Sequence, residues 1–514
     1  MDRPRGVAES EAEGAPAPGA SYEQFAGPAR RPLAGKWRRR EPENTLLHAT
    51  VRAHLRTFLE EGRGRTAVGA GLPRFVEAEF ERYLACGILA HGFARVRCRD
   101  CGDELLVGLS CKGRGFCPSC TTRRMHGTAA RLVDRVLPHV PVRQWVLSLP
   151  RWARWLLARD PSLVSSTLEV TLRTIFANLR KRARRAGVRG SRAGAITFVQ
   201  RFGGSLNLNV HLHCVIPDGV FVREKGAIRF VPLGAPPDSE VEAILRRIVV
   251  RLLPLLHARR EAMETEQPDA LASAQTETLL LPAAPKESLR RGRHSAFLEG
   301  FSLHAGVHLH ANDREGLEKL CGYGARPPLS LKRLSALPDG RLAYRLKRPL
   351  GDGREVLALR PTELLRRLAT LVPPPRHHLV RYHGVFGPNS AWRAEIVPRP
   401  PESGAAACHP APVQPPPGES PASTAAERPS SGRQTRIPWS ELLQRVFRED
   451  VLQCPCGGRR VVLAFLTDAT VVKAMLEHLG LPATGPPIAP ARPHEQPDFT
   501  TWQDDVPELQ QVLR

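Results

Sequence analysis

The run Asn207-Leu208-Asn209-Val210-His211-Leu212-His213-Cys214-Val215-Ile216 alternates polar and apolar side chains over most of its length. That is the period of a β-strand, so Asn207, Asn209, His211 and His213 share one face and Leu208, Val210, Leu212, Cys214 and Ile216 the other. Two imidazoles and two amides on one strand face are costly to bury unless something uses them. A rigid strand that presents two imidazoles side by side suits a divalent metal, whereas a single histidine would read as a core residue. The third ligand is open. Gln200 sits on the preceding strand-like run, where a two-residue turn would put it beside the histidines and a three-residue turn on the opposite face. His304 is the fallback. His308 and His310 also alternate, but no polar strand face accompanies them, and they read as a surface strand.

A second metal signal lies upstream. Cys98-Arg99-Asp100-Cys101 is followed, after fifteen residues, by Cys117-Pro118-Ser119-Cys120. Two such knuckles predict one tetrahedral zinc site formed by Cys98, Cys101, Cys117 and Cys120, closed by four thiolates and therefore structural. Cys111 reads as a core thiol, and Cys86 and His126 as bystanders. Near the C-terminus, Cys454-Pro455-Cys456 has one residue between its cysteines and no second pair nearby in sequence, so it reads as a tight turn or an incomplete metal site.

A nucleophile is to be sought among five tyrosines. Tyr22 falls in a low-complexity arm and Tyr83 in the helix before the zinc unit. Tyr323 ends a short helix that Asp313 can cap and that Leu317 and Leu320 can anchor to a core. Tyr382, flanked by Arg381 and His383, is the rival, because those neighbours could hold a phosphate. A phenol ordinarily ionises near pH ~10, so either candidate needs a base or a polarised phosphate to attack at neutral pH.

These residues need elements to hold them. Leu46, Val51, Leu55 and Leu59, and later Phe75, Phe80 and Leu84, have helical spacing; so do Met125 to Leu137 and Asp160 to Ala186. Gln144 to Pro150 reads as a buried strand. Ala195 to Phe202 and Leu206 to Ile216 read as a hairpin across Gly203-Gly204-Ser205. The expected organisation is a disordered basic arm over 1–43, a helical zinc-binding domain over 44–130, a catalytic domain over 131–397, a Pro-rich linker over 398–435, a small unit over 436–485, and a loose tail over 486–514.

Seventy-five Lys and Arg against 51 Asp and Glu give a formal charge of +24 over 514 residues, and such a field attracts polyanions, nucleic acid first. No apolar run is long enough to cross a membrane and no secretory signal is visible, so a cytoplasmic location is expected. Eleven cysteines in a cytosolic chain point to metal ligation before disulfides.

Several of these segments, in this order, resemble one family. Ser110-Cys111-Lys112, Arg114 through Cys120, Val142 through Leu147, Gln200-Arg201-Phe202-Gly203 and Asn209 through His213 are similar to the transposases of the insertion-sequence-ninety-one family, which belong to the His-hydrophobe-His nuclease superfamily. The resemblance covers about residues 75 to 485. It implies an α+β fold in which an antiparallel sheet carries the histidine pair, flanked by helices and preceded by the zinc-binding domain. It also implies that a divalent ion held by His211 and His213, Mg²⁺ or Mn²⁺, with Gln200 as the candidate third ligand from the reading above, polarises the scissile phosphate, and that Tyr323 attacks it, leaving a 5′-phosphotyrosine and a free 3′-hydroxyl. The implied partner is DNA, single-stranded or hairpin ends of a mobile element, in rolling-circle transposition. Some members carry a second tyrosine four residues before the nucleophile. Lys319 stands there instead, which points to a single-tyrosine enzyme in which the ammonium stabilises the phenolate or the phosphate. The competing readings are a non-catalytic zinc DNA-binding protein and a metal-independent tyrosine recombinase acting through Tyr382.

Overall fold

The structure is a computed structural model that describes residues 40–64, 69, 71–264, 269–280, 292–350, 352–398, 437, 439–447 and 450–492. Most of the basic arm expected over 1–43, of the Pro-rich linker expected over 398–435 and of the tail expected over 486–514 lies outside the described residues.

The chain opens with α1 (Leu46–Gly64) and α2 (Arg74–Ala85), then β1 (Phe93–Cys98), β2 (Glu104–Gly108) and α3 (Pro118–Arg135). There follow β3 (Val142–Ser148), α4 (Arg151–Arg159), α5 (Pro161–Arg185), the hairpin β4 (Gly194–Phe202) and β5 (Leu208–Pro217), the hairpin β6 (Gly219–Glu224) and β7 (Ala227–Pro232), α6 (Asp238–Glu264) and α7 (Ala270–Leu280). The next stretch contains β8 (Ser295–Leu298), β9 (Phe301–Leu309), α8 (Arg314–Gly324), β10 (Leu334–Ala336), β11 (Leu342–Arg345), β12 (Val356–Leu359), α9 (Pro361–Leu371), β13 (Val380–Gly384) and α10 (Arg393–Ile396). The last elements are α11 (Trp439–Phe447), β14 (Arg460–Leu466) and α12 (Ala469–His478). The fold class is α+β, as the sequence reading expected.

The frame of the molecule is a six-stranded sheet in the order β13-β4-β5-β3-β9-β8, antiparallel throughout. Its two faces follow from the alternation of β5. Leu208, Val210, Leu212, Cys214 and Ile216 are buried with Trp145, Leu147, Phe301 and Leu303 against apolar residues of α4, α5 and α6. Asp160 starts α5 by accepting from the backbone N–H of Ser162 and Leu163, which satisfies two of the donors that a helix start leaves unpaired. The opposite face carries the histidines and is covered by α8, itself packed on α3. A second core gathers α1, α2, α9 and Phe116 with β11 and β12.

The smaller sheet, β14-β1-β2, has a consequence that sequence spacing did not reveal. The C-terminal strand β14 pairs antiparallel with β1, from Phe93 opposite Leu466 to Cys98 opposite Arg460. Val472 and Leu476 of α12 close a small core with Leu89 and Phe93.

Candidate active site and thiol clusters

On β5 the two imidazoles lie side by side, their ring centroids 4.8 Å apart, and both are buried. Gln200 of β4 pairs directly with His211, and Phe198 with His213, so all four occupy one face. The route to that register is neither of the two turns anticipated. Phe202 pairs with Leu208, leaving five residues in the loop, a register that by itself would set Gln200 opposite Val210. A bulge between Gln200 and Phe202 shifts the register by one and returns Gln200 to the histidine face. Arg201, the bulge residue, is buried and donates to the Ala158 carbonyl at 3.3 Å.

Three polar atoms of this face are buried with no hydrogen-bond partner: Gln200 Oε1, Asn209 Oδ1 and His213 Nε2. Buried polar atoms are ordinarily satisfied, and a cluster left open calls for an occupant. The imidazoles are oriented from behind. His211 Nδ1 lies 2.9 Å from the Asn209 carbonyl, to which it donates, and this fixes Nε2 as the lone-pair atom. His213 Nδ1 lies 3.1 Å from Nε2 of Gln144. With the amide turned so that its oxygen accepts from Nδ1–H, Nε2 of His213 is also a lone-pair donor. Burial pushes His211 down to about 4, assisted by the nearby cations Arg326 and Arg154, and pushes His213 well below the ordinary imidazole value, assisted by His211 and Arg326. Both rings are therefore neutral at physiological pH, the form that ligates a metal. Two imidazole nitrogens and a Gln oxygen fit a divalent ion, with no carboxylate in the set.

α8 brings Tyr323 to the same place. Asp313 caps this helix by accepting from the Gly316 N–H at 2.8 Å, and Leu317 and Leu320 are buried beneath it, as expected from sequence. Its C-terminus is pinned to the site: Gln200 Nε2 donates to the carbonyls of Tyr323 at 2.7 Å and Gly324 at 2.9 Å. Gly324 is required there, because a Cβ would lie 2.6 Å from the Phe198 ring. The Tyr323 ring meets His213 edge-on, with centroids 5.6 Å apart and planes at 80°. Arg326, which the sequence analysis does not single out, lays its guanidinium over the Tyr323 ring at 4.5 Å and faces Phe202 at 5.2 Å. Its Nε is buried without a partner. A cation three residues beyond the phenol was the available signal. Arg154, on α4, has none in the sequence.

Lys319 is half-exposed and holds Glu315 at 2.7 Å. His304 shares the histidine face but is two strands away from His213 across Val146, and bonds Ser295 at 3.0 Å. His308 is partly exposed and faces Asp218 at 3.6 Å. Tyr382 also projects from the histidine face, on the edge strand β13, with its pair partner Ile196 opposite Val215 rather than either histidine. Its hydroxyl accepts from Arg131 at 2.6 Å.

The thiols are regrouped. Cys98 and Cys101 do not join Cys117 and Cys120, because β1 carries the first knuckle to one end of the small sheet while the second opens α3. Instead Cys86, Cys111, Cys117 and Cys120 bring their Sγ atoms within 4.8 Å of one another, and so do Cys98, Cys101, Cys454 and Cys456. Cys86 and Cys111, read from sequence as a bystander and a core thiol, are members of the first group. Its closest separations are Cys111–Cys120 at 3.4 Å, Cys86–Cys117 at 3.6 Å and Cys86–Cys120 at 3.7 Å. Four thiolates around zinc, each at ~2.3 Å, stand about 3.8 Å apart, so the first group has the dimensions of a closed structural site.

Two family models match the chain: one described as "Putative transposase" over residues 194–392, which spans the hairpin, α8 and β13, and one described as "Transposase zinc-binding domain" over residues 51–149. A protein of Sinorhizobium fredii described as "Putative transposase y4qJ" is 25% identical over 312 residues, covering 59% of this chain and 72% of that protein. No solved structure matches. Among the described residues, no helix is long and apolar enough to cross a membrane. The zinc-binding match and the thiol geometry together support structural zinc, and the two matches, in this order along the chain, support a transposase similar to those of the insertion-sequence-ninety-one family.

Proposed function

We propose that this transposase nicks and rejoins single-stranded DNA through Tyr323, in rolling-circle transposition. The observation that carries the reading is the Tyr323 ring set edge-on against His213, on a helix whose last carbonyls are held by Gln200 of the neighbouring strand. His211, His213 and Gln200 would hold a divalent ion, Mg²⁺ or Mn²⁺, which would supply Lewis-acid polarisation of the scissile phosphate.

The residues of the chain do the rest. The phenol oxygen of Tyr323 forms a bond to phosphorus while the bond from phosphorus to the 3′-oxygen breaks. The phenol's proton passes to solvent as its oxygen bonds phosphorus, and the departing oxygen takes up a proton, leaving a 5′-phosphotyrosine and a 3′-hydroxyl; rejoining is the reverse attack by a 3′-hydroxyl. Arg326, stacked on the ring and desolvated, stabilises the charge that develops on the phosphate. Lys319 lies one turn earlier on the same helix and contributes at the rim to the backbone of the DNA. The net charge of +24 supplies affinity through phosphate contacts that do not depend on the ion.

His211→Ala combined with His213→Ala tests the role of the metal. Cleavage of labelled single-stranded DNA should disappear while gel-shift affinity stays within a few-fold. A double variant that still cuts in the presence of chelator overturns the metal reading and favours recombinase-like chemistry at Tyr382, where Arg131 already bonds the hydroxyl.

A further inference from the structure

We infer that Cys98, Cys101, Cys454 and Cys456 bind a second structural zinc ion, which clasps the C-terminal segment onto the zinc-binding domain. Cys98 Sγ lies 3.6 Å from Cys456 Sγ, and Cys101 Sγ lies 3.6 Å from Cys454 Sγ, across 358 and 353 residues of sequence. All four sulfurs lie within 4.8 Å of one another, close to the edge of about 3.8 Å expected for a thiolate tetrahedron around zinc. Two separate disulfides would hold each pair but would give no reason for the pairs to converge.

Three further contacts bring the knuckles together independently of the thiols. β14 pairs with β1 up to Cys98 opposite Arg460. The buried guanidinium of Arg460 holds Asp103 at 2.9 Å and the Gln453 carbonyl at 3.1 Å, joining the two turns that carry the cysteines. At Gly458 a Cβ would stand 2.1 Å from the Asp100 carboxylate, so one knuckle is built to lie against the other. The C-terminal turn is itself shaped for ligation: Gly457 has φ of 90°, and the Gly458 N–H donates to Cys456 Sγ at 3.4 Å, as a backbone amide does to a metal-bound thiolate. Cys101 and Cys456 are exposed to solvent. The site thus converts an interface with a core of four buried apolar side chains, Leu89, Phe93, Val472 and Leu476, into a closed loop of the chain.

The full-length protein, purified with zinc and without chelator, should contain two zinc ions per chain by elemental mass spectrometry. Cys454→Ser with Cys456→Ser should contain one. A measurement on the unaltered protein guards against a variant that fails to fold. Cys101 and Cys456, although exposed, should resist alkylation by iodoacetamide until a strong chelator removes the metal, and should then label together with Cys98 and Cys454. One zinc per chain with Cys101 and Cys456 labelled at once overturns the inference. So does a double variant that keeps two zinc ions, or an intact mass lower by the hydrogens of a disulfide in this group.

Discussion

The sheet face that carries the histidines and the small sheet that carries the second thiol group are organised on different length scales. Gln200, His211 and His213 lie on one hairpin, and alternation within that hairpin decides which way each side chain points. Cys98 and Cys101 find their partners more than 350 residues later, in the turn before a strand whose own pattern gives no sign of where it will pair. A local period therefore reports orientation, and it reports the His face correctly. Ligand spacing reports only that a turn is built to bind metal. It is silent about which turns share an ion, so two knuckles fifteen residues apart were assigned to each other when each belongs to a different group.

The largest expected effect breaks the thiol side of this comparison. Cys117→Ser should release zinc from the first group, where apparent binding of ~10–16 kcal/mol is folding free energy and matches or exceeds the whole stability of an ordinary domain. The region of α1, α2 and α3 should lose its cooperative melting by circular dichroism. Retention of both zinc and melting temperature would show that Cys86, Cys111 and Cys120 suffice without it.

On the sheet side, Arg326→Ala should lower the cleavage rate by about 10²–10³, the usual cost of removing one donor aimed at a developing charge, with little change in DNA affinity. Lys319→Ala should cost only a few-fold, since its ammonium is half-exposed and paired with Glu315. If single-turnover rates show the reverse order, the cation that matters was placed correctly by sequence and wrongly by geometry.

Gly324→Ala gives a smaller effect that sharpens the comparison. The new methyl would press on Phe198 and should destabilise the protein by ~1–3 kcal/mol, read as a shift in denaturant midpoint. Because Gln200 holds the same turn, the rate of cleavage should fall as well. A loss of stability with full activity would mean that the position of α8 over the histidines is not what sets the chemistry.

The His strand, the helix capped by Asp313 and the placement of Tyr323 on it are legible in the sequence, because each depends on neighbours within about a dozen residues. The sequence left the face of Gln200 undecided because a bulge at Arg201, not the turn alone, sets the register. Arg154 was missed because α4 reaches the site only through tertiary packing. The C-terminal cysteines were read as isolated for the same physical reason: pairing of distant strand edges leaves no periodic trace in either strand.

The central claim is that Tyr323 is the nucleophile, and one measurement tests it directly. The full-length protein should be trapped on 5′-labelled and 3′-labelled single-stranded DNA in Mg²⁺ or Mn²⁺, digested, and the nucleotide-bearing peptide identified by mass spectrometry, alongside Tyr323→Phe. The account predicts a 5′-phosphotyrosine on the peptide that contains Tyr323, no adduct with Tyr323→Phe, and unchanged DNA affinity for that variant. An adduct on Tyr382, or one that persists in Tyr323→Phe, would contradict it.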